Sequence, residues 1–276
     1  MNSEAPIGVF DSGIGGLTVL EAIRQVLPGE NYIYLGDTAR VPYGNRTAQT
    51  IIRYATSCAR QLVDRGVKAI VIACNTASAH ALEALRQTFD IPIFGVITPV
   101  SEMAARLTQT QCIGVIGTRA TISSGAYTSA IHQYAPDANV YGLACPLFVP
   151  LVEEGWSNSQ VAGMVVHEYL KNLLDNIHSE SEQTLDTLIL GCTHYPVLKS
   201  RIAEALASLG QHVQLCDCGQ ATAQVLLHSL NLSQLRANRG LGSVSYLVTD
   251  DPAQLSAIGR SFMREPPRNV EHIDIV

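Results

Sequence analysis

The sequence predicts an α/β protein made of two similar, doubly wound parallel-sheet domains, and three observations carry that prediction. Apolar strand-like runs alternate with helical patterns along all 276 residues, as βαβ units require. Two of these runs, Ala69-Ile70-Val71-Ile72-Ala73 and Thr187-Leu188-Ile189-Leu190-Gly191, lead straight into cysteines, Cys74 and Cys192. Small polar residues and then a helical pattern follow each thiol. The third observation is a weak internal repeat, in which Ile7-Gly8-Val9-Phe10-Asp11-Ser12-Gly13 resembles Ile113-Gly114-Val115-Ile116-Gly117-Thr118-Arg119. In both halves this strand precedes the one that ends in cysteine.

Strands are expected near 7–10, 31–35, 68–73, 92–96, 112–116, 138–143, 185–190, 212–216, 243–248 and 270–275. Uninterrupted apolar runs of this length read as strands buried on both faces. Helical periodicity fills 16–27, 47–65, 77–88, 120–133, 158–177, 195–208 and 218–230. The stretch from Pro92 to Pro99 reads as a crossing between halves. The chain beyond 208 holds too few strand–helix units for a third domain, so it is expected to return to the first half. These boundaries give a first domain of 1–97 with 208–276 and a second of 98–207.

Composition narrows the function. At 47% hydrophobic and 15% charged residues the chain can bury a large core and is not expected to be disordered. A net charge of −6 with only three lysines, and no basic run, argues against a nucleic-acid partner. The first residues have neither the basic nor the apolar region of a signal peptide, and no uncharged apolar stretch is long enough to span a bilayer. A cytoplasmic protein with no membrane partner is therefore expected, and its seven cysteines read as free thiols.

The chemistry concentrates at strand ends. Open α/β sheets bind ligands outside the carboxyl ends of their strands, where helix N-terminal amides favour a thiolate. A free thiol titrates at about 8.5 and must come down towards neutrality to act as a base, so Cys74 and Cys192 are expected to be activated there. The other five cysteines, Cys58, Cys112, Cys145, Cys216 and Cys218, read as inert. Cys216 and Cys218 flank Asp217 but complete no zinc set, so no metal is expected. The turn Asp11-Ser12-Gly13-Ile14-Gly15-Gly16 matches neither the dinucleotide fingerprint nor the P-loop. Its amides suit a carboxylate or phosphate, and Asp11 is placed to pair with an ammonium group or to take a thiol proton. Asp37 to Gly44 forms a polar loop, and His194, two residues past Cys192, is a natural proton partner. None of the lysines (Lys68, Lys171, Lys199) sits in a recognisable pyridoxal-phosphate setting.

Six motifs in order carry a resemblance across residues 9–196. They are Val9-Phe10-Asp11-Ser12-Gly13-Ile14-Gly15-Gly16-Leu17, Asp37-Thr38-Ala39-Arg40 with Pro42-Tyr43-Gly44, Ala73-Cys74-Asn75-Thr76-Ala77-Ser78, Gly117-Thr118-Arg119-Ala120-Thr121, Pro146 to Glu153, and Leu190-Gly191-Cys192-Thr193-His194-Tyr195-Pro196. Together they resemble the glutamate racemases of the cofactor-independent aspartate/glutamate racemase family. The resemblance implies two domains with pseudo-twofold symmetry and an active site between them. It implies an isomerase that interconverts L- and D-glutamate without a cofactor or metal, supplying D-glutamate for peptidoglycan and cell shape. By the same likeness Cys74 deprotonates D-glutamate and Cys192 L-glutamate, Asp11 and His194 assist them, and Glu153 is a further catalytic group. Asp11, Ser12, Pro42, Tyr43, Gly44, Asn75, Thr76, Thr118, Thr121, Thr193 and His194 match substrate-binding positions, with Arg40 and Arg119 as adjuncts. Oligomeric state varies among such enzymes, and a homodimer is one of the states implied. Val41 stands where larger apolar residues are common. The chain lacks the N-terminal extension of forms activated by a cell-wall precursor, so that regulation is not expected.

Rival readings are separable. A related aspartate or hydantoin racemase would share the fold and both thiols. A one-cysteine decarboxylase would not need the pair. A two-lobed amino-acid-binding protein has no use for thiols at both strand ends, and a thiol-transfer enzyme would use one cysteine as nucleophile.

Overall fold

Ten strands and eleven α-helices alternate along the chain in the computed structural model, which describes residues 2–237 and 240–275. The order is β1 (Ile7–Asp11), α1 (Leu17–Val26), β2 (Tyr32–Gly36), α2 (Ala48–Val63), β3 (Ala69–Ile72), α3 (Asn75–Thr88), β4 (Ile93–Gly95), α4 (Ile97–Leu107), β5 (Cys112–Gly117), α5 (Arg119–Ser123) and α6 (Ala126–His132). It continues with β6 (Asn139–Ala144), α7 (Phe148–Glu153), α8 (Gln160–Glu180), β7 (Thr187–Gly191), α9 (Lys199–Ser208), β8 (Gln214–Asp217), α10 (Cys218–Leu232), β9 (Val244–Val248), α11 (Pro252–Ile258) and β10 (Val270–His272). Contacts divide the chain into two units, one of Met1–Val96 with Gly219–Val276 and one of Ile97–Cys218. Among the described residues no helix is long and apolar enough to cross a membrane.

The first unit is built on a six-stranded sheet in the order β10-β9-β2-β1-β3-β4, and the second on a four-stranded sheet in the order β6-β5-β7-β8. Every pairing is parallel. The α/β class expected from the strand–helix alternation is thus what the chain adopts. Within the larger sheet the run β2-β1-β3-β4 follows the same connectivity as β6-β5-β7-β8. The short likeness between Ile7–Gly13 and Ile113–Arg119 is therefore a likeness between corresponding central strands, β1 and β5. The second unit extends to Cys218 because β8 pairs with β7, Leu188 opposite Leu215.

The central strands are apolar because helices cover both faces of each sheet. β1, β3, β5 and β7 are buried along their whole length. In the first unit Phe10, Leu35, Ile70 and Ile72 pack with Ile51, Ala55 and Leu62 of α2 and Ala77, Ala81 and Leu85 of α3. Fully burying one such Leu or Ile contributes roughly 1.5–3 kcal/mol, so this layer is the main source of cohesion.

The helical pattern read as one segment over 120–133 is two helices. Gly125 adopts φ +67°, a left-handed conformation that ends α5 and lets α6 restart in a new direction. Three helices that periodicity did not announce are present: α4, α7 and α11. α4 begins within the Pro92–Pro99 stretch and has Pro99 as its third residue, where a missing amide hydrogen costs nothing.

At the amino end of the second sheet, Asp186 accepts hydrogen bonds from the amides of Gln109 and Thr110 (2.6 and 2.8 Å) and from the hydroxyls of Thr108 and Thr187 (2.7 and 2.9 Å). Burial raises its pKa, but these four donors outweigh burial and hold the carboxyl below the ordinary value. A depressed folded-state pKa means that the stabilisation is present above the unfolded pKa of about 3.9 and is lost as pH falls through the folded one. Asp186→Asn is therefore expected to lower unfolding free energy at neutral pH by about 1 kcal/mol, allowing for solvent screening. The difference from wild type should shrink below about pH 4. Urea denaturation across pH 3–7 measures it, and a difference independent of pH would contradict the assignment.

Candidate active site

In each sheet the chain first builds outward to one side of the central strand and then to the other. The crevice at the carboxyl ends of the two strands flanking that switch is the expected ligand position of an open α/β sheet. In the first unit the switch lies between β1 and β3, and in the second between β5 and β7. Asp11 ends β1 and Cys74 follows β3, while Thr118 follows β5 and Cys192 follows β7.

Cys74 is the N-cap of α3, its sulfur accepting from the Ala77 amide at 3.5 Å. Its S–H donates to the Ser12 hydroxyl at 3.3 Å. Asp11 holds the neighbouring turn by accepting the Gly13 amide through Oδ2 at 3.0 Å. Gly16 has no room for a side chain, since a Cβ there would lie 2.5 Å from the Asp11 Cβ and 3.0 Å from that of Ala73. The turn is braced from beneath by buried Tyr34, whose hydroxyl donates to the carbonyls of Gly13 and Ile14 (3.0 and 3.2 Å). Asn75 and Thr76 are buried in the first turn of α3.

The expectation of a lowered thiol pKa fails at Cys74. Burial, and next the Asp11 carboxylate, push it up to about 11, against smaller lowering by hydrogen bonds from Ser12 and Ala77. The helix N-terminus is present but is outweighed. At neutral pH Cys74 is a thiol, a proton donor in waiting.

The polar loop after β2 is organised by Asp37, a fully buried carboxylate that the motif contained but that was not singled out as a site residue. It accepts the Tyr43 hydroxyl, the Arg40 guanidinium (2.8 Å) and the Thr249 hydroxyl (3.0 Å). Thr249 also accepts the Ala39 amide at 2.9 Å. The Tyr43 phenol thus serves the loop, leaving Pro42 exposed and Gly44 half-buried beside it. Arg40 is spent on Asp37 and lies 4.5 Å over the Tyr54 ring.

In the second unit Cys192, Thr193 and His194 are all buried. His194 Nε2 lies 2.9 Å from Glu153 Oε1, and its Nδ1 lies 3.9 Å from the Cys192 sulfur and 3.5 Å from the Thr193 hydroxyl. A carboxylate can only accept, so a neutral His194 donates from Nε2 and presents its Nδ1 lone pair to the thiol. Glu153 thereby sets the tautomer that can take a proton from Cys192. Thr118 caps α5, accepting the Thr121 amide at 3.3 Å, and the two hydroxyls are 2.9 Å apart. Tyr195, in the 3-10 turn after His194, donates to the carbonyls of Gly117 and Cys145 (3.0 and 2.9 Å) and so ties β5 to the segment carrying Cys192. Arg119 is exposed on α5.

The structure thus gathers Asp11, Ser12, Cys74, Asn75 and Thr76 at one switch point, and Thr118, Thr121, Glu153, Cys192, Thr193 and His194 at the other. Sequence reasoning missed the supporting groups Tyr34, Asp37, Thr249 and Tyr195. Asp37 and Tyr195 stand inside two of the six motifs, and Asp37 also shows an i,i+3 spacing to Arg40, whereas Tyr34 and Thr249 left no signal.

Two parallel α/β units, each with a buried cysteine beyond a strand at its switch point, are the setting of an isomerase of the racemase class, and its relatives are racemases. The chain belongs to the Asp/Glu/Hydantoin racemase family, whose model matches residues 7–226. It is 47% identical to a glutamate racemase of Geobacter metallireducens, over 93% of this chain and 92% of that one. Among solved structures it resembles glutamate racemase from Thermus thermophilus in complex with beta-chloro-D-alanine (42% identity, TM-score 0.86, 99% of this chain and 98% of that one). It also resembles glutamate racemase from Francisella tularensis in complex with D-glutamate (37% identity, TM-score 0.88, the same shares covered).

Proposed function

We propose that this protein interconverts L- and D-glutamate by a two-thiol proton transfer without a cofactor, and so supplies D-glutamate for peptidoglycan. The observation that carries the reading is the placement of a cysteine after the corresponding strand of each unit, Cys74 after β3 and Cys192 after β7. Full-length likeness to glutamate racemases supports glutamate over aspartate or a hydantoin.

The steps balance simply. One thiolate removes the α-proton and becomes a thiol; the other thiol delivers its proton to the opposite face and becomes a thiolate. Cys74 acts on D-glutamate and Cys192 on L-glutamate. Cys74, held as a thiol by its surroundings, is already in the state needed to protonate the carbanion formed from L-glutamate. For the reverse direction the substrate's ammonium group supplies the positive charge that lowers a thiol pKa, and Asp11 is placed to take the proton. His194, oriented by Glu153, does the same for Cys192. Hydroxyls and amides of Ser12, Tyr43, Gly44, Asn75, Thr76, Thr118, Thr121 and Thr193 bind the carboxylates, in a site that must be dry to stabilise the carbanion, while Pro42, which has no N–H, shapes the loop that carries Tyr43 and Gly44. Lys68 is unfit for Schiff-base chemistry, being buried in an ion pair with Glu30.

The test uses L-glutamate in deuterium oxide with no added cofactor. Loss of optical rotation with incorporation of one deuterium at the α-carbon is expected. Aspartate racemised faster than glutamate would overturn the substrate, and absence of exchange would overturn the reaction.

A further inference from the structure

A hydrogen-bonded chain lies behind the second thiol, formed by two residues that no step above uses. The Cys218 S–H donates to the Leu190 carbonyl at 3.3 Å, and the Tyr127 hydroxyl lies 3.3 Å from the same sulfur. Since the thiol proton is directed to Leu190, Tyr127 is the donor to the sulfur. Both side chains are buried, Tyr127 on α6 and Cys218 at the start of α10. The Tyr127 ring also fills the space beside Gly191, since a Cβ built on that glycine would meet its Cε2 at 3.0 Å. The peptide unit Leu190–Gly191 is therefore held in two ways, by a hydrogen bond to the carbonyl and by a ring packed where a Gly191 side chain would stand. The next residue is Cys192. Burial first, then Asp217 and Cys216, keep Cys218 a thiol, its pKa raised to about 12, so the donor to Leu190 persists through the neutral range.

We propose that Tyr127 and Cys218 are positioning residues for Cys192: they fix the Leu190–Gly191 peptide, and with it the direction in which the Cys192 sulfur meets the substrate. The proposal rests on the reading of Cys192 as the base for L-glutamate. The physical case is that proton transfer is steeply sensitive to geometry, and a displacement near 1 Å can cost about 100-fold. Pairing between β7 and β8 ends at Leu190, so its carbonyl, two residues before the thiol, takes a partner from beyond the ladder. Cys218 supplies it, and Tyr127 orients Cys218.

Racemisation imposes a discipline on the test. The two enantiomers have equal free energy in water, so any variant loses kcat/KM equally in both directions. Primary deuterium isotope effects are not so bound. Tyr127→Phe keeps the ring and removes the hydroxyl, and Cys218→Ala removes donor and acceptor together. Each is expected to lower kcat/KM about 10- to 100-fold and to raise the isotope effect with 2-deuterated L-glutamate while leaving that with 2-deuterated D-glutamate near wild type. Cys218→Ser retains a donor and an acceptor and should restore the wild-type isotope effects. A purely structural role lowers the folded fraction, read by circular dichroism, and leaves both isotope effects unchanged; that result, or an equal rise with both enantiomers, overturns the proposal. Cys192→Ala is measured alongside. If that variant racemises at the wild-type rate, the assignment of Cys192 has failed rather than the brace behind it.

Discussion

Cys192→Ser is expected to abolish racemisation while leaving one half of the reaction running. With its base for L-glutamate gone, the enzyme should lose at least about 100-fold in kcat/KM in both directions, within the 10²–10⁴ that general acid–base catalysis contributes. Cys74 survives in this variant and, under the proposed mechanism, removes and returns the proton of D-glutamate on its own face. D-Glutamate should therefore still take up solvent deuterium without inverting, and L-glutamate should not. Cys74→Ser should show the mirror behaviour, with Cys192 and its His194–Glu153 partner exchanging L-glutamate alone. The readout is α-proton loss by NMR with the enantiomers separated. Full racemase activity in either variant, or exchange of the opposite enantiomer, would sink the two-thiol assignment. The crossed pattern matters more than the loss of activity, which many kinds of damage could cause.

The positions of both thiols were legible because a parallel strand buried on two faces is an unbroken apolar run, and its end is where the run stops. Ala69–Ile72 and Thr187–Gly191 announce themselves that way, and Cys74 and Cys192 simply come next. Protonation at Cys74 was not legible. Sequence shows a helix N-terminus ahead of a thiol, but the opposing quantities, burial and the Asp11 carboxylate, exist only once β1 and β3 are paired. The supporting groups were hidden for a related reason. Tyr34, Tyr127 and Tyr195 each sit in apolar surroundings, where a tyrosine reads as core, and their hydroxyls reach partners remote in the chain. Tyr127 and Cys218 are 91 residues apart, and Thr249 and Asp37 are 212 apart. Helix α4 was obscured by Pro99, which reads as a break yet is harmless in a first turn.

Lys68→Met is expected to cost about 3–5 kcal/mol of stability, the range for breaking a buried ion pair by removing one partner. Lys68 and Glu30 are both buried, and the ammonium donates to Glu30 and to the carbonyls of Ser3 and Leu235. The other oxygen of Glu30 accepts the Ala237 amide at 2.8 Å. Removing the lysine strands a carboxylate with one remaining donor and takes a partner from two carbonyls. Such a loss is large against the 5–15 kcal/mol that separates most native domains from their unfolded chains. The pair lies just before β2 and β3, at the amino ends of strands whose carboxyl ends carry the Asp37 loop and the thiol. The rate per folded molecule should therefore be unchanged, which distinguishes this lysine from a catalytic one. Replacing both partners, Lys68→Met with Glu30→Leu, should recover a large part of the loss, since two apolar groups carry no uncompensated charge. Urea denaturation with activity corrected for the folded fraction decides the matter. A single variant as stable as wild type would show that the ammonium and its carboxylate are not the clamp that joins the segments at Ser3, Leu235 and Ala237 to the sheet.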